Sequence, residues 1–84
     1  MTFVYILECK DGSYYTGITW NLEKRIGEHN LGVKTPIQPG RRPTKLVYWE
    51  NFKTRIEAAK REREIKGWRR EKKAVLIQNW NGLH

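Results

Sequence analysis

The first nineteen residues contain two short runs of strand-forming residues separated by a turn. Residues 3–7 are apolar, β-branched or aromatic, and residues 14–19 form a second run of strand formers. Asp11 and Gly12 lie between them, and Asp-Gly is a strong hairpin signal. We therefore predict a β-hairpin at the start of the chain.

The length of the hairpin loop decides whether Tyr5 and Tyr15 can act together. A two-residue loop would pair Tyr5 with Ile18 and place the two tyrosines on opposite faces of the sheet. A three-residue loop, with Gly12 in the left-handed conformation, pairs Tyr5 with Gly17 and places both phenols on one face. We predict the three-residue loop. The alternative is that both are ordinary strand tyrosines in a small core.

A first helix follows the hairpin. Thr19 or Asn21 can cap a helix that runs to about residue 30, and Gly32 is a stop signal. Leu22 and Ile26 lie on one stripe of this helix, which must face the sheet.

Residues 45–52 form the third predicted strand. Leu46 and Tyr48 face one way, and Val47 and Trp49 face the other. Because both faces are largely apolar, we expect this strand to be covered on both sides and regard it as a candidate for the central strand.

Two further helices complete the predicted fold. Thr54 and Glu57 form a capping box that starts the second helix, and Gly67 ends it. Residues 74–80 are predicted to form a third helix, and residues 79–84 a frayed tail. The expected fold class is α/β (α+β). It is one domain over residues 1–84, with a small three-stranded antiparallel sheet and about three helices in the order β-β-α-β-α-α.

Three polar side chains stand in unexpected positions on these helices. Arg25 and His29 border the buried stripe of the first helix, where Arg25 can lay its stem on the core and His29 can be half-buried. Glu62 lies in the apolar stripe of the second helix, and a carboxylate there is costly unless it is paired or holds a cation. A buried ion pair with Arg25 is the structural alternative for Glu62.

Charge is distributed unevenly along the chain. Residues 1–33 carry three Lys or Arg against four Asp or Glu, a net charge of −1, whereas residues 34–84 carry fourteen against five, a net charge of +9. This basic part predicts a polyanionic partner, with solubility as the simpler explanation. Apolar runs of about five residues predict no membrane span and a cytoplasmic location. Cys9 is the single cysteine, so the chain has no internal disulfide.

Residues 31–44 contain three prolines and two glycines, which predicts a long loop. We interpret it as a flexible basic arm that meets a nucleic-acid backbone, or else as a connection with solvated charges. The candidate nucleic-acid-binding residues are basic side chains of this loop and of the second and third helices: Lys34, Arg41, Arg42, Lys66, Arg69, Arg70, Lys72 and Lys73.

The spacing of these elements resembles that of the GIY-YIG nucleases. Val4-Tyr5-Ile6 and Tyr15-Thr16-Gly17, whose tyrosines lie ten positions apart, are similar to the paired motif that gives the family its name. Val4 replaces the first glycine and Thr16 the central isoleucine, which bears on strand packing rather than on chemistry. The resemblance continues through nearly the whole chain: Asn21-Leu22, Arg25-Ile26, His29-Asn30, Leu46-Val47-Tyr48, Glu57-Ala58, Arg61-Glu62 and Ile65-Lys66. It is closest to small single-domain members of bacteria and their viruses.

The resemblance implies a role for each polar residue. Tyr5 would activate water, Tyr15 would orient the water or the phosphate, and Arg25 would steady the scissile phosphate. His29 matches a polar helper one helical turn beyond Arg25, and Glu62 matches the metal-binding glutamate. Family members often add a late asparagine, for which Asn81 is the candidate and Asn79 the alternative.

The chemistry of this set suits phosphodiester hydrolysis. We expect five of its side chains to approach one face of the sheet: Tyr5, Tyr15, Arg25, His29 and Glu62. A single carboxylate can hold Mg²⁺ or Mn²⁺ with water ligands, and an arginine can bind the phosphate oxygens. A nearby metal and arginine would lower the pKa of a catalytic tyrosine. The expected function is a metal-dependent DNA endonuclease, a monomer or weak homodimer, with RNA as another conceivable substrate. The alternative is a non-catalytic nucleic-acid-binding module.

Overall fold

The computed structural model describes residues 1–83 and has the predicted element order. The elements are the strands β1 (Thr2–Glu8), β2 (Tyr14–Thr19) and β3 (Lys45–Phe52) and the helices α1 (Leu22–Leu31), α2 (Arg55–Lys66) and α3 (Arg70–Leu83), with a short 3₁₀ turn at Pro39–Arg41. In chain order they read β-β-α-β-α-α. The three strands form one antiparallel sheet, so the predicted fold class is confirmed.

The β1–β2 hairpin has the predicted three-residue loop. The Cys9 N–H donates to the Ser13 carbonyl at 2.8 Å, and Gly12 has the left-handed φ of 85°. The φ of Gly12 is accessible to glycine at little cost because it has no Cβ. This loop pairs Tyr5 with Gly17. Tyr5 and Tyr15 therefore lie on the same face of the sheet.

The central strand is β1, not β3. The strand order is β2-β1-β3, and β1 pairs antiparallel with both neighbours. The expectation that β3 is central was therefore wrong. β3 has apolar residues on both faces for a different reason. Trp80 of α3 covers this outer edge of the sheet and packs against both Tyr48 and Trp49.

A bulge in β3 also breaks the predicted alternation of its side chains. Ile6 pairs with Tyr48 but Leu7 pairs with Leu46, so the register shifts by one residue. Leu46 consequently packs with the Tyr5 face, and Val47 joins Tyr48 on the opposite face. A bulge puts two residues opposite one, which a period of two cannot describe.

The sheet is the middle of three layers. One face packs against α2 and α3 through a buried cluster of Val4, Ile6, Val47, Tyr48, Ala58, Ile65 and Ile77. The other face carries buried Tyr5, Leu7, Cys9 and Ile37, with Leu22 and Ile26 of α1 packed against them. α1 and α2 thus cover opposite faces. We expected Arg25 and Glu62 to approach the same face of the sheet, but their helices cover opposite faces.

The helix ends follow the sequence signals closely. The Asn21 side chain accepts a hydrogen bond from the Lys24 N–H at 3.1 Å, and Gly32 ends α1 with a φ of 80°. At the start of α2 the Thr54 hydroxyl accepts from the Glu57 N–H at 3.2 Å, which completes the capping box.

The third helix is longer than predicted at both ends. It begins at Arg70 rather than at residue 74, and it continues to Leu83 through most of the segment expected to fray. His84 lies outside the described residues. Within residues 1–83, no helix combines the length and apolar character that crossing a membrane would require.

Thr16, which stands in the second tyrosine motif, is buried with an unsatisfied hydroxyl. The residue is 4% exposed, and its Oγ1 is the buried side-chain polar atom without a hydrogen-bond partner among the described residues. A buried polar group without a partner costs about 1–3 kcal/mol.

We therefore predict that Thr16→Val stabilises the protein by about 1 kcal/mol, since valine has nearly the same shape and no hydroxyl to desolvate. Urea unfolding followed by circular dichroism measures the change. Thr44→Val is the matched control, because the buried Thr44 hydroxyl donates to Asn30 Oδ1 at 2.8 Å. The control should lose stability, and a destabilised Thr16→Val would contradict the prediction.

Candidate active site

Tyr5 is the centre of the candidate site. It lies in β1, is 1% exposed, and its hydroxyl is 2.8 Å from His29 Nε2. The phenol crosses the sheet face and rests over Gly17, where an added Cβ would lie 2.5 Å from Tyr5 Oη. Gly17 belongs to the edge strand β2, so the Tyr5 hydroxyl lies at the β2 edge of the sheet.

Tyr15 and His29 pack around the Tyr5 ring. The Tyr15 ring meets His29 edge-on with centroids 5.0 Å apart, and the Tyr5 and Tyr15 centroids are 6.3 Å apart. These contacts require the tyrosines to share a face, which the hairpin register provides. The three rings form one cluster between the sheet and α1.

His29 is fully buried, not half-buried. It lies in the last turn of α1, and its Nδ1 is 2.6 Å from the Thr35 hydroxyl. Burial and the nearby Arg25 charge lower the pKa of His29 to about 4. His29 is therefore neutral at physiological pH, with one ring nitrogen available as an acceptor.

Arg25 is held at the rim of this cluster by two contacts. Its Nη1 donates to Glu28 Oε1 at 3.3 Å and to the Lys34 carbonyl at 3.0 Å. The guanidinium also acts on the Tyr5 phenol, where it lowers the pKa. Both the positive charge of Arg25 and a side-chain hydrogen bond to the phenol contribute to this lowering of the Tyr5 pKa. A guanidinium has five N–H donors, and those not used in these contacts can bind phosphate oxygens.

The pKa of Tyr5 is raised to about 12, mainly by burial and then by Tyr15, with Glu62 adding to the rise. Arg25 lowers it, as expected, but burial outweighs that effect. Tyr5 is thus a protonated hydroxyl at neutral pH, and it needs an acceptor for its proton before it can take one from water.

Glu62 acts on the site through its charge, from the other face of the sheet. It lies on α2, which also packs against β2, and its charge acts on the Tyr5 phenol. Its side chain is 21% exposed and pairs with Lys66 at 3.3 Å. Because Arg25 pairs with Glu28 instead, the structure does not contain the Glu62–Arg25 ion pair considered from the sequence.

The donor set for a metal is small. Among residues 1–83, no three or more His, Cys, Asp or Glu side chains come together as metal ligands. Glu62 is the carboxylate whose charge acts on the Tyr5 phenol, and Mg²⁺ often uses one protein carboxylate together with water and phosphate oxygens. The residues present fit such an ion and do not fit a closed protein cage.

The two asparagines considered for the site lie elsewhere. Asn79 and Asn81 are exposed on α3, and the intervening Trp80 packs on β3 at the edge opposite β2. The structure does not bring either residue to the tyrosine cluster. The register of the C-terminal helix, which the sequence left open, accounts for this difference.

The arginines of the 31–44 loop make intramolecular bonds. Arg41 donates to the Ser13 hydroxyl at 2.8 and 3.1 Å and lies 3.6 Å from an Asp11 carboxylate oxygen. Arg42 donates to the Ile37 carbonyl at 3.1 Å. These bonds tie the loop to the hairpin and to itself, in contrast to the flexible arm that we expected. The Lys34 side chain is exposed.

The other basic candidates gather where α2 meets α3. Arg70 donates to the Gly12 carbonyl and stacks over Tyr14 with 4.6 Å to the ring centroid, and Lys72 lies 4.4 Å from the Trp68 ring centroid. Such stacking holds a cation at the surface while leaving it charged. We define the α2–α3 basic surface as Lys66, Arg69, Arg70, Lys72 and Lys73. Lys66 also pairs with Glu62, and Lys73 is half-buried.

Two contacting residues were missed from the sequence. Glu28 holds Arg25 and could have been found, because it lies three positions away on the same helix. Thr35 holds His29 from an irregular loop, where no periodic signal exists.

Comparison with known proteins identifies the family to which the chain belongs. A model of the GIY-YIG catalytic domain matches residues 1–74. The chain belongs to the GIY-YIG family, which confirms the resemblance seen in its motifs.

Several relatives within this family carry the name UPF0213. A UPF0213 protein of Staphylococcus saprophyticus is 52% identical over 75 residues, which cover 89% of this chain and 92% of that protein. One from Haloquadratum walsbyi is 49% identical over 82 residues, which cover 98% of this chain and 92% of that protein.

Two solution NMR structures share the fold. A UPF0213 protein from Bacillus halodurans is 43% identical with a TM-score of 0.60, covering 93% of this chain and 84% of that one. A protein from E. faecalis is 37% identical with a TM-score of 0.65, covering 98% of this chain and 88% of that one.

We predict that Gly17→Ala displaces the Tyr5 phenol and destabilises the protein by about 1–3 kcal/mol, as overpacking does. Denaturant unfolding and the Tyr5 NMR signals measure the two effects. Gly27→Ala is the control, because an added Cβ there meets nothing within 4 Å and alanine favours a helix. Equal stability of the two variants would contradict the close approach of Tyr5 to Gly17.

We also predict that stability falls as the pH is lowered from 6.5 to about 4. In this range the unfolded chain binds a proton at His29 that the folded chain does not, because the pKa is lowered from 6.5 to about 4 on folding. The loss amounts to roughly 3 kcal/mol. His29→Gln should remove this part of the pH dependence of unfolding, whereas an unchanged profile would show that His29 titrates normally.

Proposed function

We propose that the protein is a metal-dependent endonuclease that hydrolyses phosphodiester bonds in DNA, with one divalent ion in each active site. The observation that carries the proposal is the buried hydrogen bond between the Tyr5 hydroxyl and a neutral His29, with Arg25 and Glu62 acting on the same phenol. In this proposal, bound DNA brings the phosphate and the attacking water to the buried Tyr5 hydroxyl at the β2 edge of the sheet.

The residues suggest a path for the proton of the attacking water. Tyr5 Oη accepts that proton while its own hydroxyl proton moves to His29 Nε2, 2.8 Å away. This relay avoids a free tyrosinate, which the raised pKa of Tyr5 disfavours. His29 then carries the positive charge beside the incoming phosphate.

Arg25 and Tyr15 would position the phosphate. The guanidinium edge opposite the Glu28 contact can bind two phosphate oxygens as negative charge builds in the transition state. Tyr15, packed on His29, can orient the water or the phosphate at the same face.

Glu62 would hold the ion, Mg²⁺ or Mn²⁺, with water and phosphate oxygens completing its ligands. Such an ion supplies Lewis acidity that makes water and phosphate more reactive. A carboxylate repels a bound polyanion, which would weaken DNA binding. A metal ion held between Glu62 and the phosphate would remove this repulsion.

The DNA partner is inferred from charge. The α2–α3 basic surface lies on the strongly basic part of the chain, and lysines and arginines there can neutralise phosphates with release of counterions. Arg70 stacks on Tyr14 and Lys72 on Trp68, so both cations already lie at the surface in the free protein.

One observation favours the alternative of a non-catalytic nucleic-acid-binding module. Glu62 already has a cationic partner in Lys66 at 3.3 Å, so the carboxylate is paired without a metal. In that alternative, Glu62 and Lys66 form a structural ion pair, and the basic surface alone accounts for binding.

We predict nicking of supercoiled plasmid DNA in Mg²⁺ or Mn²⁺, with loss of at least 100-fold in rate on Glu62→Gln or Tyr5→Phe, since each removes a group that acts in the transition state. Gel analysis of plasmid topoisomers measures the rate. DNA affinity should persist in both variants.

Matched controls separate chemistry from folding. Glu64→Gln removes a carboxylate from the exposed side of the same helix, and Tyr48→Phe removes a buried phenol hydroxyl from the opposite face of the sheet. Both should still nick. If the wild type binds DNA but cuts no topology with either metal, the binding-module alternative is correct.

A further inference from the structure

Two consecutive residues of the 31–44 loop contact the two polar side chains that α1 contributes to the site. The Lys34 carbonyl accepts from Arg25 Nη1 at 3.0 Å, and the Thr35 hydroxyl lies 2.6 Å from His29 Nδ1. Lys34 has a φ of 49°, an unusual value for a residue with a Cβ. The backbone therefore turns sharply between the two contacts.

The Thr35 hydroxyl has a defined place in this turn. Its Oγ1 accepts from the Ile37 N–H at 3.0 Å, and Ile37 is 1% exposed in the core on the α1 face. The hydroxyl is thus held between the buried Ile37 in the middle of the loop and the imidazole of His29.

The hydrogen-bond inventory selects one tautomer of His29. The Tyr5 hydroxyl is buried, so its proton needs an acceptor, and His29 Nε2 at 2.8 Å provides one. Neutral His29 then carries its hydrogen on Nδ1 and donates it to Thr35. Thr35 Oγ1 can accept from both His29 and Ile37, and its own proton can reach water because the residue is half-buried.

The rest of the loop fixes Thr35 in space. Arg41 is bonded to Ser13 in the hairpin, and the Lys10 N–H donates to the Arg41 carbonyl at 2.9 Å. Arg42 reaches back to the Ile37 carbonyl at 3.1 Å. The loop is therefore a brace between the hairpin and α1.

We propose that Thr35 is a positioning residue that holds His29 with its hydrogen on Nδ1, so that Nε2 remains free to accept the proton of Tyr5. The inference rests on the proposed function only for its catalytic consequence. The tautomer itself is a property of the folded protein and can be measured without substrate.

The first arm of the test is the ¹⁵N spectrum of the His29 ring at neutral pH, with His29→Gln used to assign the signals. The wild type should carry its hydrogen on Nδ1. Thr35→Val has no hydroxyl to accept it, so a second tautomer should appear, and Thr35→Ser should restore the wild-type pattern. A wild-type hydrogen on Nε2, or an unchanged tautomer in Thr35→Val, would overturn the proposal.

The second arm measures plasmid nicking by the same variants. Thr35→Val should lower kcat about 10-fold or more with little change in KM, because it weakens a proton transfer that operates only in the transition state. Thr35→Ser should recover most of the lost rate. Thr44→Val, at the far end of the loop, controls for lost stability. Wild-type protein that never nicks would reject the proposed function, while the spectrum would still decide the role of Thr35. If Thr35→Val changes the tautomer of His29 but keeps the wild-type kcat, the tautomer does not control the rate, and the catalytic part of the proposal is rejected.

Discussion

The structure of the site depends on one buried hydrogen bond, between the Tyr5 hydroxyl on the central strand and His29 on α1. A buried phenol and a buried imidazole would each be costly if left without a partner, and each satisfies the other. This bond requires glycine at position 17, because the phenol occupies the space of a side chain there. It also requires the three-residue hairpin loop, since a two-residue loop would pair Tyr5 with Ile18 instead of Gly17.

Burial gives these two groups opposite tendencies that suit proton transfer. It keeps Tyr5 protonated and keeps His29 neutral, so a donor and an acceptor face each other at neutral pH. Arg25, at the rim of the same cluster, favours the charged form of Tyr5 and disfavours that of His29. An approaching phosphate would offset the Arg25 charge and make His29 a better acceptor.

Local signals in the sequence predicted what is local in the structure. The Asp-Gly turn and the capping box depend on neighbouring residues, and both were found where expected. The central position of β1 and the bulge in β3 depend on packing between distant segments, which alternation does not encode. The same holds for the site: Tyr5 and Tyr15 follow from hairpin register, whereas the contact of Thr35 with His29 arises only when an irregular loop closes over α1.

The location of α1 and α2 on opposite faces of the sheet has a consequence for folding. The groups that contact the Tyr5 phenol come from β2 and α1, and α2 acts on it from the opposite face through the charge of Glu62. The loop that closes over α1 is held by contacts with the hairpin. A nascent or partly melted chain with either face unpacked therefore has no assembled site. Formation of the site therefore depends on folding of the whole domain, because helices must pack on both faces of the sheet before these groups come together.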